Sequence, residues 1–99
     1  MAKYDIHEYR SGDGYLLDVQ ADLLDHLNTR VVVPLLPKNN APQPAARLNP
    51  IFEVEGVPHV MAAQFLAAIP RNELGTKVAN IEPRFAEITA ALDMVFQGF

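Results

Sequence analysis

One stretch of this sequence, residues 83–97, has the apolar periodicity of an α-helix, and it lies at the C-terminal end. Its apolar side chains recur three or four residues apart and form one stripe: Phe85, Ile88, Leu92 and Val95. Pro83 suits the first turn of a helix, and Gly98 suits the position that ends it. The segments before this stretch are short and are rich in β-forming residues. The sequence therefore predicts several short strands followed by one terminal helix.

Two hairpins are predicted ahead of the helix. Residues 3–9 and 15–21 flank a Gly-Asp-Gly turn, and residues 51–55 and 57–61 flank Gly56. Between the hairpins, residues 21–29 suit a structured loop or a short helical turn. Residues 30–36 form a β-branched run typical of a buried strand, in which Pro34 predicts a bulge or an edge position. The proline-rich residues 37–50 predict a surface loop, and residues 71–79 a polar connection.

Composition and charge narrow the class of protein. The chain has 99 residues, 49% of them hydrophobic, which predicts a single domain over residues 1–99 with its own core. The net charge of −4 and the scattered basic residues argue against direct nucleic-acid binding, which needs concentrated positive charge. No apolar run approaches a membrane span, and the first residues lack a signal-peptide pattern, so a cytoplasmic location is expected.

The residues that could carry out catalysis do not form a recognisable constellation. Cysteine is absent, and the one serine, Ser11, lies in a predicted turn. The histidines are far apart and follow no metal-ligand spacing; His7 and His59 are expected to play structural roles in strands. The carboxylates at 18, 22 and 25 lack the glycine and the alternation of a calcium loop. We therefore expect a binding protein and not an enzyme, with no cofactor and no metal.

The C-terminal residues are unusually apolar for a chain end, which is more often polar and frayed. Residues 94–99 read MVFQGF and include two aromatic side chains, Phe96 and Phe99. These aromatics are buried in the core, packed against a second copy of the chain, or offered to a partner. Aromatic side chains are frequent binding hot spots, and the sequence leaves the three alternatives open.

Four segments together resemble the CcdB family of plasmid-addiction toxins. They are residues 17–25 (LDVQADLLD), 30–35 (RVVVPL), 78–81 (VANI) and 96–99 (FQGF), which occur in the family's order and at matching positions. The resemblance covers nearly the whole chain and is weakest in the loop at 37–50. It implies a small SH3-like β-barrel of antiparallel strands with one C-terminal helix, and a homodimer.

The resemblance also implies a function and a set of contact residues. CcdB-like toxins bind the A subunit of DNA gyrase and trap the enzyme on cleaved DNA, and a CcdA-like antitoxin neutralises them. The gyrase-binding residues expected from the resemblance are Leu23, Leu24, Asp93, Phe96, Gln97, Gly98 and Phe99. Each of them has a structural alternative: the leucines fill the core, Phe96 packs along the helix, or Gly98 only caps it.

Departures from the family pattern keep other functions open. The best-known member has tryptophan, isoleucine and asparagine where this chain has Gln97, Phe99 and Asp93. Loss of the tryptophan is expected to weaken gyrase binding. One alternative is a relative that keeps antitoxin binding without poisoning gyrase. Another is a toxin endoribonuclease of the same fold, which the acidic net charge disfavours.

Overall fold

Seven antiparallel strands form one curled sheet, a half-barrel, and a helix follows them at the C-terminal end. This is a computed structural model, and it describes residues 1–41 and 43–98. The elements are β1 (Asp5–Tyr9), β2 (Tyr15–Asp18), β3 (Thr29–Pro37), β4 (Ile51–Val54), β5 (Val57–Met61), β6 (Ala67–Pro70), β7 (Leu74–Asn80) and α1 (Phe85–Gln97). The predicted class, a mostly-β SH3-like barrel with a C-terminal helix, is confirmed.

The long strand β3 is the centre of the sheet. It pairs with β2 along one side and with β6 and then β5 along the other, so it has neighbouring strands on both sides within the sheet. Its β-branched run suits this position, because branched side chains pack well on a pleated surface. Val33 and Leu35 are fully buried there, so the prediction of a buried strand is confirmed.

The prediction that Pro34 marks a bulge or an edge is wrong. Pro34 pairs in regular register with Leu16 of β2, inside the central strand. Its carbonyl accepts a hydrogen bond from the N–H of Ala62, on the side where β6 has ended and β5 begins. Because the N and C=O of a strand residue lie on the same side, the proline nitrogen faces this junction, where no ladder donor is needed.

Both predicted hairpin turns are confirmed. Residues 10–14 connect β1 to β2, and Gly14 has a φ of 82°. Glu55 and Gly56 connect β4 to β5 with φ values of 51° and 80°. Two consecutive positive φ values give the turn a twist that matches the strands on either side, and glycine adopts such a value without steric cost.

Residues 71–79 are not the polar connection that the sequence predicted. Most of them belong to β7, which pairs with β1 from Asp5↔Asn80 to Tyr9↔Leu74 with two register shifts. This strand lies at the end of the sheet and, within the described residues, pairs with β1 alone. Several of its side chains face solvent, so it lacks the apolar pattern that marks an interior strand.

The helix α1 closes one face of the sheet. Ile88 and Ala91 are buried in the main core cluster, and Leu92 and Val95 pack against it. Phe85 was predicted to share this stripe, but it is 55% exposed because it stands at the first residue of the helix, beyond the edge of the core. Gly98 ends the helix in the left-handed conformation, as predicted, and donates to the Met94 carbonyl.

A pH-dependent contact joins the neighbouring strands β1 and β7. Burial would raise the pKa of Asp5, but hydrogen bonds from the Asn80 side chain, the Ala2 N–H and Lys77 outweigh it and lower the pKa. Ionised Asp5 therefore stabilises the fold above its ordinary pKa of 3.8, and this contribution is lost as the pH falls through the lower folded value.

We expect the variant Asp5→Asn to have a lower free energy of unfolding than the wild type at neutral pH. This difference should shrink as the pH falls below 3.8. Urea unfolding followed by circular dichroism across the acid range measures the difference. The variant Asp13→Asn, at an exposed site of the first turn, is the control. A stability difference that does not change with pH would show that the Asp5 charge does not contribute.

Candidate protein-binding surface

The segment between β2 and β3 displays leucine side chains to solvent. We call residues 21–28 the dileucine loop. Leu23 is 87% exposed, and Leu24 is 42% exposed. A single 3₁₀ turn over Asp22–Leu24 shapes the loop, as the sequence predicted, and the N–H of Leu24 donates to the Ala21 carbonyl at 2.9 Å. The alternative that these two leucines fill the core is wrong.

A buried ion pair lies directly under the dileucine loop. Arg30, at the start of β3, is fully buried; its Nε donates to Oδ2 of Asp18 at 2.9 Å, and its Nη1 to Oδ1 of Asp25 at 3.0 Å. Burial raises the pKa of Asp18, and hydrogen bonds from the Gln20 N–H and Arg30 partly offset this effect. The guanidinium thus connects the last residue of β2 to the middle of the loop.

The end of α1 forms a second exposed group. Phe96 is 69% exposed, so the alternative that it packs along the helix is wrong. Gln97 and Gly98 are also exposed, and Asp93 is half-buried. Phe99, the last of the predicted contact residues, lies outside the described residues. The capping role of Gly98 is confirmed, but this geometry does not decide whether Gly98 also contacts a partner.

The predicted contact residues thus form two groups, one on the dileucine loop and one at the end of α1. No hydrogen bond or ion pair joins the two groups within residues 1–41 and 43–98. Sequence reasoning missed Arg30 and Arg71, which hold the dileucine loop. Their partners are up to 46 residues away along the chain, and no local pattern indicates such a contact.

A cleft lies beside the first hairpin turn. It has a volume of about 520 Å³ and is lined by Glu8, Tyr9, Gly12, Asp13, Gly14, Tyr15, Pro37, Val54, Glu55, Val57 and His59. Three of these residues carry carboxylates, and none is a lysine or an arginine. Burial and the nearby Glu55 raise the pKa of the Tyr15 hydroxyl. The cleft is therefore acidic and partly aromatic.

The histidines are poorly placed for chemistry on a dissolved substrate. His7 and His59 are 5% and 4% exposed, and their Nδ1 atoms lie 3.1 Å and 2.8 Å from the carbonyls of Gly75 and Val57. The expected structural setting within strands is confirmed for both. His26 is exposed, in the dileucine loop. Among the described residues, no group of three or more His, Asp or Glu side chains is arranged to hold a metal ion.

The helices of the described residues include none that is long and apolar enough to cross a membrane.

Comparison with known proteins gives one family match and a set of similar structures. A family model described as "CcdB protein" matches residues 3–98. An endoribonuclease in complex with its cognate antitoxin, from a mycobacterial species, is 15% identical with a TM-score of 0.77, over 97% of this chain and 94% of that chain. A second mycobacterial endoribonuclease is 14% identical with a TM-score of 0.79, over 97% of this chain and 90% of that chain.

A third similar structure is the Mycobacterium tuberculosis toxin MazF-mt6. It is 15% identical to this chain with a TM-score of 0.77, over 93% of this chain and 95% of that chain. At such low identities the likeness to these three structures establishes the fold alone.

Proposed function

Because the chain belongs to the CcdB family, we propose that it is the toxin of a toxin–antitoxin pair that binds the A subunit of DNA gyrase and traps gyrase on cleaved DNA. The observation that carries this proposal is the family match over residues 3–98, and the exposure of Leu23, Leu24 and Phe96 supports it. In this proposal the whole chain, residues 1–99, is one toxin domain that acts in the cytoplasm without catalysing a reaction.

The proposed gyrase contacts are the two exposed groups described above. Leu23 and Phe96 are large apolar side chains that are mostly exposed to solvent. Their burial against a partner would be favourable, because it removes apolar surface from water. Leu24, Asp93, Gln97, Gly98 and Phe99 complete the proposed set. Binding of purified gyrase A subunit to the immobilised chain tests this assignment, and a chain that does not bind gyrase A would refute it.

The active form is proposed to be a homodimer. Two aromatic side chains are exposed and would be stabilised by burial against a second copy of the chain. Phe85, at the start of α1, is 55% exposed, and Phe65, ahead of β6, is 51% exposed. A domain of this size is also marginally stable alone, so an added interface contributes usefully. Sedimentation equilibrium at micromolar concentration measures the assembly state directly.

A CcdA-like antitoxin is the second proposed partner, and one of the similar structures is itself a complex with a cognate antitoxin. The acidic cleft beside the first hairpin turn is the proposed binding site for this antitoxin. Glu8, Asp13 and Glu55 line this cleft without any lysine or arginine, so it would favour a positively charged segment of a partly disordered chain. No direct nucleic-acid contact is included in the proposal.

The resemblance implies that the tryptophan of the best-known family member, at the position of Gln97, stacks on an arginine of gyrase A. We therefore expect the variant Gln97→Trp to bind gyrase A about tenfold more tightly, because such stacking contributes roughly 0.5–2 kcal/mol. Gln97 is exposed at the last turn of α1, so the larger ring has space. Isothermal titration with purified gyrase A measures the change. The variant Thr89→Trp, at another exposed position of α1, is the control. Equal or weaker binding would mean that Gln97 does not face such an arginine.

A second candidate function is RNA cleavage, because similar structures include endoribonucleases. Such chemistry needs a general acid and a general base that reach the scissile phosphate. His7 and His59 are buried, which leaves His26 as the exposed histidine of this chain. Incubation with a mixed RNA substrate separates the two functions. Site-specific cleavage that is lost in His26→Ala would establish the ribonuclease and contradict the proposal that the chain catalyses no reaction.

A further inference from the structure

The dileucine loop has no buried apolar side chain of its own to anchor it. Residues 21–29 are all exposed, and the 3₁₀ turn within them contains no buried residue. The leucines of the loop, Leu23, Leu24 and Leu27, are 87%, 42% and 38% exposed, so none of them enters the core. Polar contacts must therefore supply the order of this loop, and these contacts can be identified individually.

The first half of the loop is held by neighbours in the sequence and by the N-terminal segment. Gln20 bridges the loop to β3: its Nε2 donates to the Leu24 carbonyl at 2.9 Å, and its Oε1 accepts from the Val31 N–H at 3.0 Å. The Lys3 N–H donates to Oδ1 of Asp22 at 2.9 Å. These contacts hold the 3₁₀ turn on one side but do not reach the residues after it, so the position of the turn also depends on how residues 25–28 are held.

The second half of the loop is held by Arg30, which contacts Asp25, and by Arg71, from the turn that follows β6. The Nη1 of Arg71 donates to the carbonyls of Asp25 and Leu27, the latter at 3.1 Å, and its own N–H donates to the Asn28 carbonyl at 2.9 Å. Its Nη2 also lies 3.9 Å from Oδ1 of Asp25, the carboxylate that Arg30 contacts. The planar guanidinium presents its donors in a fixed fork, whereas a lysine would offer a single ammonium group on a flexible stem.

We infer that Arg71 is a positioning residue for the partner-binding surface: it orders the dileucine loop in the free protein, so that Leu23 is already in place when the partner arrives. The inference rests on the proposed function in taking gyrase A as that partner. A flexible loop would lose conformational freedom on binding, and a loop ordered beforehand avoids that cost. Arg71 itself need not contact the partner.

Amide hydrogen exchange in the free protein tests the ordering directly. The reporters are the loop N–H groups that donate to loop carbonyls: Leu24, Asp25 and Leu27. In Arg71→Gln we expect them to exchange about tenfold faster, because a charge-assisted hydrogen bond is among the stronger contacts that oppose loop opening. The matched control is Arg47→Gln, which removes the same charge from an exposed arginine in the loop before β4.

Amides of the central strand β3 distinguish local from global loosening. If Arg71 positions only the loop, the exchange of Val33 and Leu35 changes little while the loop amides accelerate. Unchanged loop exchange in Arg71→Gln would overturn the inference. Equal acceleration in the loop and in β3 would also overturn it, because Arg71 would then support the whole fold.

Gyrase binding then tests the consequence for Leu23. We expect Arg71→Gln to weaken gyrase A binding about tenfold. In a Leu23→Ala background the same substitution should weaken binding much less, because the effects of residues that act as a unit are not additive. Arg71→Lys should recover only part of the loss. Fully additive effects would overturn the inference. If the wild type does not bind gyrase A, the proposed function fails, and the exchange result still decides whether Arg71 orders the loop.

Discussion

The variant Leu23→Asp is expected to lose gyrase A binding by about 100-fold or more, while the free energy of unfolding stays unchanged. The loss follows from placing an unpaired charge in a contact that the partner would bury, and truncated hot-spot side chains commonly cost about 2–4 kcal/mol. Stability should be unaffected because Leu23 is 87% exposed and contributes no packing to the core. Isothermal titration and urea unfolding measure the two quantities separately.

Val57 provides the control for this experiment. Val57 is 49% exposed and lies at the start of β5, so Val57→Asp makes the same kind of change on a surface that the proposal does not assign to gyrase. We expect it to bind gyrase A as the wild type does. If both variants bind normally, the dileucine loop is not the gyrase contact, and the assignment of Leu23 and Leu24 is wrong.

The variant Arg30→Met is expected to lose about 3–5 kcal/mol of stability, because removing one partner of a buried ion pair leaves the other charge uncompensated. Asp18 has a fully buried side chain and would lose both the hydrogen bond from Arg30 Nε and the charge of Nη2, which lies 2.6 Å from its Oδ2. Asp25 would lose its link to β3 at the same time. Urea unfolding at neutral pH measures the loss.

Two further variants show whether charge is the cause of that loss. Asp18→Asn combined with Arg30→Met removes both buried charges and should be more stable than Arg30→Met alone. Glu87→Gln removes one partner of the exposed Arg84–Glu87 pair, and a surface pair of this kind contributes only about 0–1 kcal/mol. A loss in Arg30→Met as small as that of Glu87→Gln would contradict the role assigned to the buried pair.

The sequence predicted the parts of the fold that local patterns encode. The helix, both hairpin turns and the buried strand β3 follow from apolar spacing, glycine positions and β-branched residues, all of which act over a few neighbours. The strand β7 could not be recognised in this way. Its order comes from pairing with β1, about 70 residues earlier in the chain, and its exposed side chains carry no apolar pattern.

The resemblance named the residues of the candidate surface but not the contacts that hold them in place. The resemblance to a family pointed to Leu23 and Phe96, and the structure adds that both are exposed. Arg30 and Arg71 could not be assigned from sequence, because an arginine gives no local sign of whether it is buried or which carbonyl it reaches. Their roles depend on how β3 and the turn after β6 meet at the dileucine loop.

The most direct test of the central claim is a gyrase assay with the purified chain, supercoiled DNA and ATP, followed by detergent and protease treatment to release trapped DNA breaks. The account predicts that linear DNA accumulates as the concentration of the chain rises, and that Leu23→Asp abolishes this product. No linear DNA and no inhibition of supercoiling at any concentration would contradict the claim that the chain poisons gyrase.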